Sequence, residues 1–414
     1  MPKRDKTLKR LLKDMDREEK RLFKDAVKAK EDYNYPDAIA RFQALVNSIF
    51  DSAERCYVLN QLGEVQMSAG DVVEAKHSYR HAVTVAEQVM LTEPLIDALC
   101  GLGEVYRVLG KPEQAMESFN NALEHARKMK DDEGEAQALA GIGATYEDTE
   151  DLDEAEMHLR QALKIAERIN DKEHQAYVHA NWGNVCSDRE DDSDALEHYE
   201  KAFKLFERLD DKEGMAWMMG NIGNVFRESD AEKALKFYQK ALAMNTGIGN
   251  LKGQARDCNN IGNIYRAQGD GKKALEYYTK CADLAHDVRS YETEAIGIYN
   301  QGTVYVDWEQ YDKGIDCYEK AAKMFHEMGA HEKAGICESN IREIKQVTSS
   351  KKTTISGGGE SGITIGPGGS LVIGPEGVKI EGNVTIEGDV SFEDGEAVIG
   401  GDGEIEIEET EEEK

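Results

Sequence analysis

Seven glycines recur along this chain at almost constant spacing. Gly63, Gly103, Gly143, Gly183, Gly223, Gly262 and Gly302 are separated by 40, 40, 40, 40, 39 and 40 residues. A fixed period of this length marks a small unit that cannot bury its own apolar face and so must stack on its neighbours. The single short step has a visible origin. "RESDAEKAL" after Phe226 is one residue shorter than "RAQGDGKKAL" after Tyr265, so the deletion lies in a turn. Each glycine has fixed companions. A small residue follows at Ala75, Ala115, Ala155, Ala195, Ala234, Ala274 and Gly314. A large one comes four later, at Tyr79, Phe119, Leu159, Tyr199, Tyr238, Tyr278 and Tyr318. A degenerate copy precedes these, with Ala38 and Phe42 in register and Ala26 at the glycine position.

The pattern within a unit reads as two antiparallel helices. Leu102, Gly103 and Tyr106 share one face at helical spacing. Glycine inside a helix costs about 1 kcal/mol against alanine, so its recurrence implies the close approach of a neighbour. The second helix offers alanines at its crossing points and an aromatic between them. Gly70-Asp71, Gly110-Lys111-Pro112, Glu150-Asp151 and Gly269-Asp270 supply turn and cap chemistry between the two helices.

The "LGEVY…AMESF" spacing of Leu102–Phe119 resembles the tetratricopeptide repeat, Leu-Gly-x-x-Tyr…Ala-x-x-x-Phe. The period exceeds the family's usual 34 residues, and the 40-residue form with its Leu/Ile-Gly-Asn motif is similar to Leu-Gly-Asn-repeat adaptors and kinesin light chains. The resemblance implies an all-α right-handed solenoid of helix pairs over residues 17–346, about eight repeats. It also implies a non-enzymatic, protein-binding role as a scaffold or adaptor. In that fold the first helices line a concave groove. "HEKAGICESNIREIK" aligns with a first helix but has Arg342 at the glycine position, so 331–346 is expected to cap the array.

Charge is distributed unevenly. Formal net charge is −30, with 81 acidic and 51 basic residues, which argues against nucleic-acid or anionic-membrane binding. The basic segment 1–16 opens a start in which residues 1–30 hold 12 Lys/Arg against 6 Asp/Glu. Residues 347–414 hold 4 against 16. Seven cysteines form no C-x-x-C pair, and no run is apolar enough to span a membrane, which points to a reducing, cytoplasmic setting.

The period changes near residue 347. Residues 347–362 have linker composition, rich in Gly and Ser. In 363–407 apolar residues alternate in short steps: Ile363/Ile365, Leu371/Ile373, Val378/Ile380, Val384/Ile386, Val390/Phe392. This predicts a small β module, a solenoid or a meander, resembling the short-rung β-helix of bactofilins. So small a core suggests homo-oligomerisation, and an assembly protein polymerising through this module is the alternative functional reading. Residues 408–414 form an acidic tail.

No nucleotide-binding, hydrolase or zinc-protease motif occurs, the histidines are dispersed, and His174 and His179 have poor ligand spacing. The expectation is therefore no catalytic residue, no metal and no cofactor.

Binding residues are read from register with the glycine. Asn184, Asn224 and Asn263 follow it and form a ladder, with Asn181, Asn221, Asn260 and Asn300 two residues before it. An asparagine amide both donates and accepts, which suits the backbone of an extended peptide. Alternatively these amides bond to the adjacent repeat and set the twist. Tyr177, Trp217 and Arg256 lie six residues before the glycine, and Arg227 and Arg266 four after, giving an Arg-rich C-terminal half. The N-terminal half shows Glu64, Asp97, Glu104, Glu147 and Asp148. The arginines suggest a partner segment carrying acidic residues, unless Arg227 and Arg266 merely pair with neighbours such as Glu228 and Asp257.

Overall fold

A computed structural model of the chain describes residues 15–49 and 53–350, followed by short strand segments between 353 and 407. Residues 1–14, which hold most of the basic opening segment, lie outside the described residues, as do 357–361 of the Gly/Ser stretch and the acidic tail 408–414.

Seventeen helices occur among the described residues, and they follow one another as antiparallel pairs. The first helices of the pairs are α1 (Arg17–Glu31), α3 (Ala53–Ala69), α5 (Thr92–Val108), α7 (Asp132–Asp148), α9 (Lys172–Asp188), α11 (Lys212–Phe226), α13 (Leu251–Ala267) and α15 (Tyr291–Asp307). Their partners are α2 (Tyr35–Ser48), α4 (Val72–Gln88), α6 (Pro112–Met129), α8 (Leu152–Arg168), α10 (Asp192–Leu209), α12 (Ala231–Ile248), α14 (Gly271–Asp287) and α16 (Tyr311–Glu327). A single helix, α17 (His331–Ser350), follows. The chain divides into two compact units, 1–294 and 295–414.

The helix ends show why the period is 40. In the long-period turns one residue takes the left-handed conformation, as at Gly70, Gly110, Glu150, Glu190 and Gly269. The N–H of the next residue then reaches back to close the helix, as Asp71 does to the Gln66 carbonyl at 2.8 Å and Asp270 to that of Tyr265 at 2.9 Å. Acidic or amide side chains cap the following helix. Asp270 accepts from the Lys273 N–H at 3.1 Å, and Asn250 from the Gly253 N–H at 2.9 Å. The 39-residue repeat lacks the left-handed residue. There α11 stops at Phe226, Arg227 becomes its C-cap in ordinary helical geometry, and Asp230 bonds back to the Phe226 carbonyl at 2.8 Å.

The recurrent glycine answers to a ring. A β-carbon on Gly103 would lie 2.5 Å from the Phe119 ring, on Gly223 2.7 Å from Tyr238, and on Gly262 2.6 Å from Tyr278. The close neighbour is thus the large side chain of the unit's own second helix. Ala75, Ala115, Ala155, Ala195, Ala234 and Ala274 are all fully buried.

In the second unit α16 packs on α17, whose Ile341 and Ile344 are buried while Arg342 is exposed. The Asn340 amide donates to the Tyr299 hydroxyl at 3.0 Å. Helix α17 runs on to Ser350, beyond the expected end of the cap at 346. Thr353–Ser356, inside the expected linker, is a strand. The strand segments pair antiparallel in one four-stranded and two two-stranded sheets. The short-rung β-helix resemblance is not supported by this pairing.

Candidate functional site

In the first unit the first helices of successive pairs touch one another: α3 with α5, α5 with α7, α7 with α9, and α11 with α13. They form the inner wall of the array. Within this unit the array coils back on itself. The Tyr35 hydroxyl, at the start of α2, donates to the Glu213 carboxylate, at the start of α11, at 3.3 Å across 178 residues. Asn250 holds the other oxygen of Glu213 at 3.0 Å. The vacant β-position of Gly70 lies 3.9 Å from the Val288 carbonyl, which brings the α3–α4 turn to the end of α14.

The asparagine ladder sits on this wall, and its oxygens are already used. Tyr199 donates to Asn184 at 2.9 Å, Tyr238 to Asn224 at 2.7 Å and Tyr278 to Asn263 at 2.7 Å. The donor in each case is the hydroxyl of the tyrosine whose ring covers the adjacent glycine. Glycine, asparagine and tyrosine therefore act as one device: the glycine admits the ring and the asparagine satisfies its hydroxyl. A ladder residue also reaches the next repeat, since Asn221 donates to Asn184 at 3.3 Å. The expectation that these side chains bond within the array is met for their carbonyl oxygens, and Asn221 uses its amide nitrogen in the same way.

Asn184 also lies within hydrogen-bonding reach of Glu147 on the preceding first helix. Burial and the nearby Asp188 and Asp148 push the Glu147 carboxyl up to about 7, against the opposing pull of Arg107 and Asn184. One Glu147 oxygen is buried without a hydrogen-bond partner. Arg107 is clamped instead by Asp148 at 2.7 Å and Glu104 at 3.0 Å. The acidic N-terminal half anticipated from sequence is thus partly neutralised within itself.

Tyr177 on α9 and Trp217 on α11 form the aromatic part of the wall, with centroids 6.3 Å apart, and Tyr177 also meets Phe206 edge-on at 5.4 Å. Tyr177 keeps 42% of its surface, yet burial together with the carboxylates of Asp211, Glu173, Glu64 and Glu213 raises its hydroxyl pKa. Tyr33, facing Glu213 and Asp211, is raised to about 12, chiefly by burial.

The arginines are less uniform than their register suggests. Arg256 on α13 lies along Gly220 of α11, 3.7 Å from that residue's vacant β-position, and bonds the fully buried Asp257 at 3.4 Å. Asn245 donates to the same carboxylate at 2.6 Å. Arg227 is exposed at the C-cap of α11 and pairs with Glu228 at 3.0 Å. Arg266 is exposed in the last turn of α13. Asn181 and Asn260 are half-buried on α9 and α13. Asn300 belongs to the second unit, where its carbonyl accepts from the Thr303 hydroxyl at 2.7 Å.

Three features were not anticipated from the sequence. The Tyr35–Glu213 contact carries no periodic signal. Nor does the facing pair His179 and His198, whose Nδ1 atoms are 3.0 Å apart with Trp182 stacked on His198 at 4.6 Å. The third is a cleft of about 360 Å³ beside the shortened turn. A stagger in the period was the one available clue to it. Among the described residues no group of three or more His, Cys, Asp or Glu is placed to hold a metal ion. No described helix is long and apolar enough to cross a membrane.

Solved structures show the same fold at low identity. A Rap protein complexed with competence and sporulation factor is 14% identical, with a TM-score of 0.52 over 80% of this chain and 99% of that one. A signal-transduction ATPase with numerous domains and a tetratricopeptide repeat sensor, from Pyrococcus horikoshii, is 17% identical, with a TM-score of 0.53 over 80% and 54%. The apo form of RapI is 16% identical, with a TM-score of 0.50 over 66% and 99%. No curated protein matches the sequence. The tetratricopeptide repeat model matches residues 94–168, 173–246 and 258–327, more than half the chain, and with the glycine–ring packing of each pair this makes the chain a member of the tetratricopeptide repeat family.

Proposed function

We propose that this protein is a non-enzymatic scaffold that holds an extended segment of a partner protein against the inner wall of its first unit. The observation that carries the reading is the surface joining α9, α11 and α13. Tyr177 and Trp217 supply apolar contact, the amides of Asn184, Asn224 and Asn263 are anchored through their oxygens by tyrosine hydroxyls, and Asn221 donates to Asn184. An amide held at its oxygen presents its N–H groups in a fixed direction, which lowers the cost of binding a peptide carbonyl. Arg227, Arg256 and Arg266 favour acidic residues in that segment. A Rap protein of the same fold has been solved with competence and sporulation factor, which accords with a binding role for such an array.

The cellular setting follows the same logic. None of the cysteines is in a disulfide, and burial pushes Cys56 and Cys281 up to about 12, so the thiols are inert packing groups suited to a reducing cytoplasm. Self-association through the strand segments 363–407 is a further part of the reading. The two-stranded sheets β3–β4 (Ser370–Gly374, Gly377–Glu381) and β6–β7 (Val390–Glu393, Glu396–Ile399) leave edges that another copy can pair with.

The test is site-specific photo-crosslinking in cells, with the cross-linking residue at Asn221 on the inner wall and, separately, at Lys128 on α6. Adducts with one protein partner from Asn221 and none from Lys128 support the reading. Adducts only from Lys128 overturn it.

A further inference from the structure

The repeat that lost a residue also has a cleft. It lies between α10, α11 and α12 and is lined by Leu196, Phe203, Met219, Ile222, Phe226 and Phe237. At 3.6 residues per turn, Met219, Ile222 and Phe226 project from the face of α11 opposite Trp217, Asn221 and Asn224. The cleft is therefore on the outer side and separate from the inner wall. Its origin is local. Without the left-handed residue that closes the other long-period turns, α11 ends a half-turn early, and α12 starts at Ala231 directly beside Phe226. The Phe226 and Phe237 rings stack at 6.0 Å and stay partly exposed as one wall.

The rim of this cleft is basic in a chain of net charge −30. Lys233 sits 3.6 Å above the Phe226 ring and Lys240 lies 5.6 Å from the Phe237 ring, while Lys204 stands on the opposite edge. Glu200 also lines the rim, but its contact with Lys204, 3.9 Å between exposed groups, is of a kind worth little and easily exchanged. A volume of about 360 Å³ is near the lower end for ligand pockets, and the cleft is open on one side. With one side open, it suits the anchoring side chain of a protein segment.

We propose that this cleft is a second docking site, taking a leucine or phenylalanine side chain from a partner segment with Asp or Glu on either side. The apolar walls take the anchor, and Lys204, Lys233 and Lys240 take the flanking carboxylates. This site is independent of the inner wall, so either can fail without the other.

The test uses the full chain and two fluorescein-labelled hexapeptides, acetyl-EELFEE-amide and acetyl-KKLFKK-amide, with affinity read by fluorescence anisotropy. The acidic peptide is expected to bind at least tenfold tighter than the basic one. Met219→Trp, which fills the cleft, and the surface double change Lys204→Glu with Lys233→Glu should each weaken it at least tenfold at unchanged melting temperature. Lys128→Glu, an exposed charge on α6, should leave it unchanged. Equal binding of the two peptides, no binding of the acidic one, or indifference to both cleft variants would overturn the proposal.

Discussion

The inner and outer faces of the first unit solve the same packing problem with different chemistry. Inside, around Tyr177 and Trp217, polar groups of the wall bond one another: asparagine with tyrosine, Arg107 with Asp148, Glu213 with Tyr35 and Asn250. Outside, where first and second helices meet, partly exposed rings are covered by lysines or by other rings, as in Lys233 over Phe226 and Trp182 on His198. Several first helices of successive pairs touch, and polar side chains bond across that seam, while on the outer side α10, α11 and α12 leave an open cleft beside the stacked Phe226 and Phe237. Packing thus gives each face its chemistry before any ligand is considered.

The largest effect should come from filling the space where the two helices of a pair meet. Gly223→Ala places a β-carbon 2.7 Å from the Tyr238 ring and displaces the hydroxyl from Asn224. Despite alanine's helix propensity, we expect a loss of about 1–3 kcal/mol, read as a drop in melting temperature. Gly247→Ala in α12, where the added carbon meets nothing within 4 Å, should instead gain up to about 1 kcal/mol. If both variants melt alike, the ring does not explain the repeated glycine.

The repeat glycine and its aromatic were legible in the sequence because they recur in register, and so were the helix pairs, the turns and the position of the asparagines. The partner of each asparagine was not legible. Residues 184 and 199, or 263 and 278, lie on different helices, and nothing in a pattern of apolar positions says where a hydroxyl points. The Arg227–Arg266 equivalence illustrates another limit. The missing turn residue moved Arg227 out of the helix to a cap, so equal register did not mean equal geometry. The Tyr35–Glu213 contact depends on the accumulated twist of many repeats, which no local segment encodes.

An intermediate effect contrasts the two faces through pH. On the inner wall the Glu147 carboxyl is raised to about 7 from an ordinary 4.5. Its contribution to stability is therefore full below pH 4.5 and lost as pH rises through 7. On the outer face burial and His198 lower His179 to about 4 from 6.5, so its contribution is present above 6.5 and lost as pH falls toward 4. Glu147→Gln should melt higher than the parent at pH 8 and match it near pH 4. His179→Gln should melt relatively higher at pH 4 than at pH 8. The opposite slope in either variant would remove that group from its assigned surroundings.

The smallest effect concerns the contact between the starts of α2 and α11. The 3.3 Å bond from Tyr35 to Glu213 is long for a hydroxyl–carboxylate pair, so Tyr35→Phe should cost only about 1 kcal/mol. Its signature is local: faster amide hydrogen exchange at the α1–α2 turn and at the start of α11, with the rest of the array unchanged. Unchanged exchange at both places would mean that the two turns do not hold each other.

Peptide display against the full chain, followed by calorimetric titration of one selected peptide, tests the inner wall most directly. The double change Tyr177→Ala with Trp217→Ala should weaken that peptide at least tenfold, while Lys128→Glu on the outer face of α6 should leave it unchanged. Retention of full affinity by the inner-wall variant, with loss in the outer-face variant, would contradict the account.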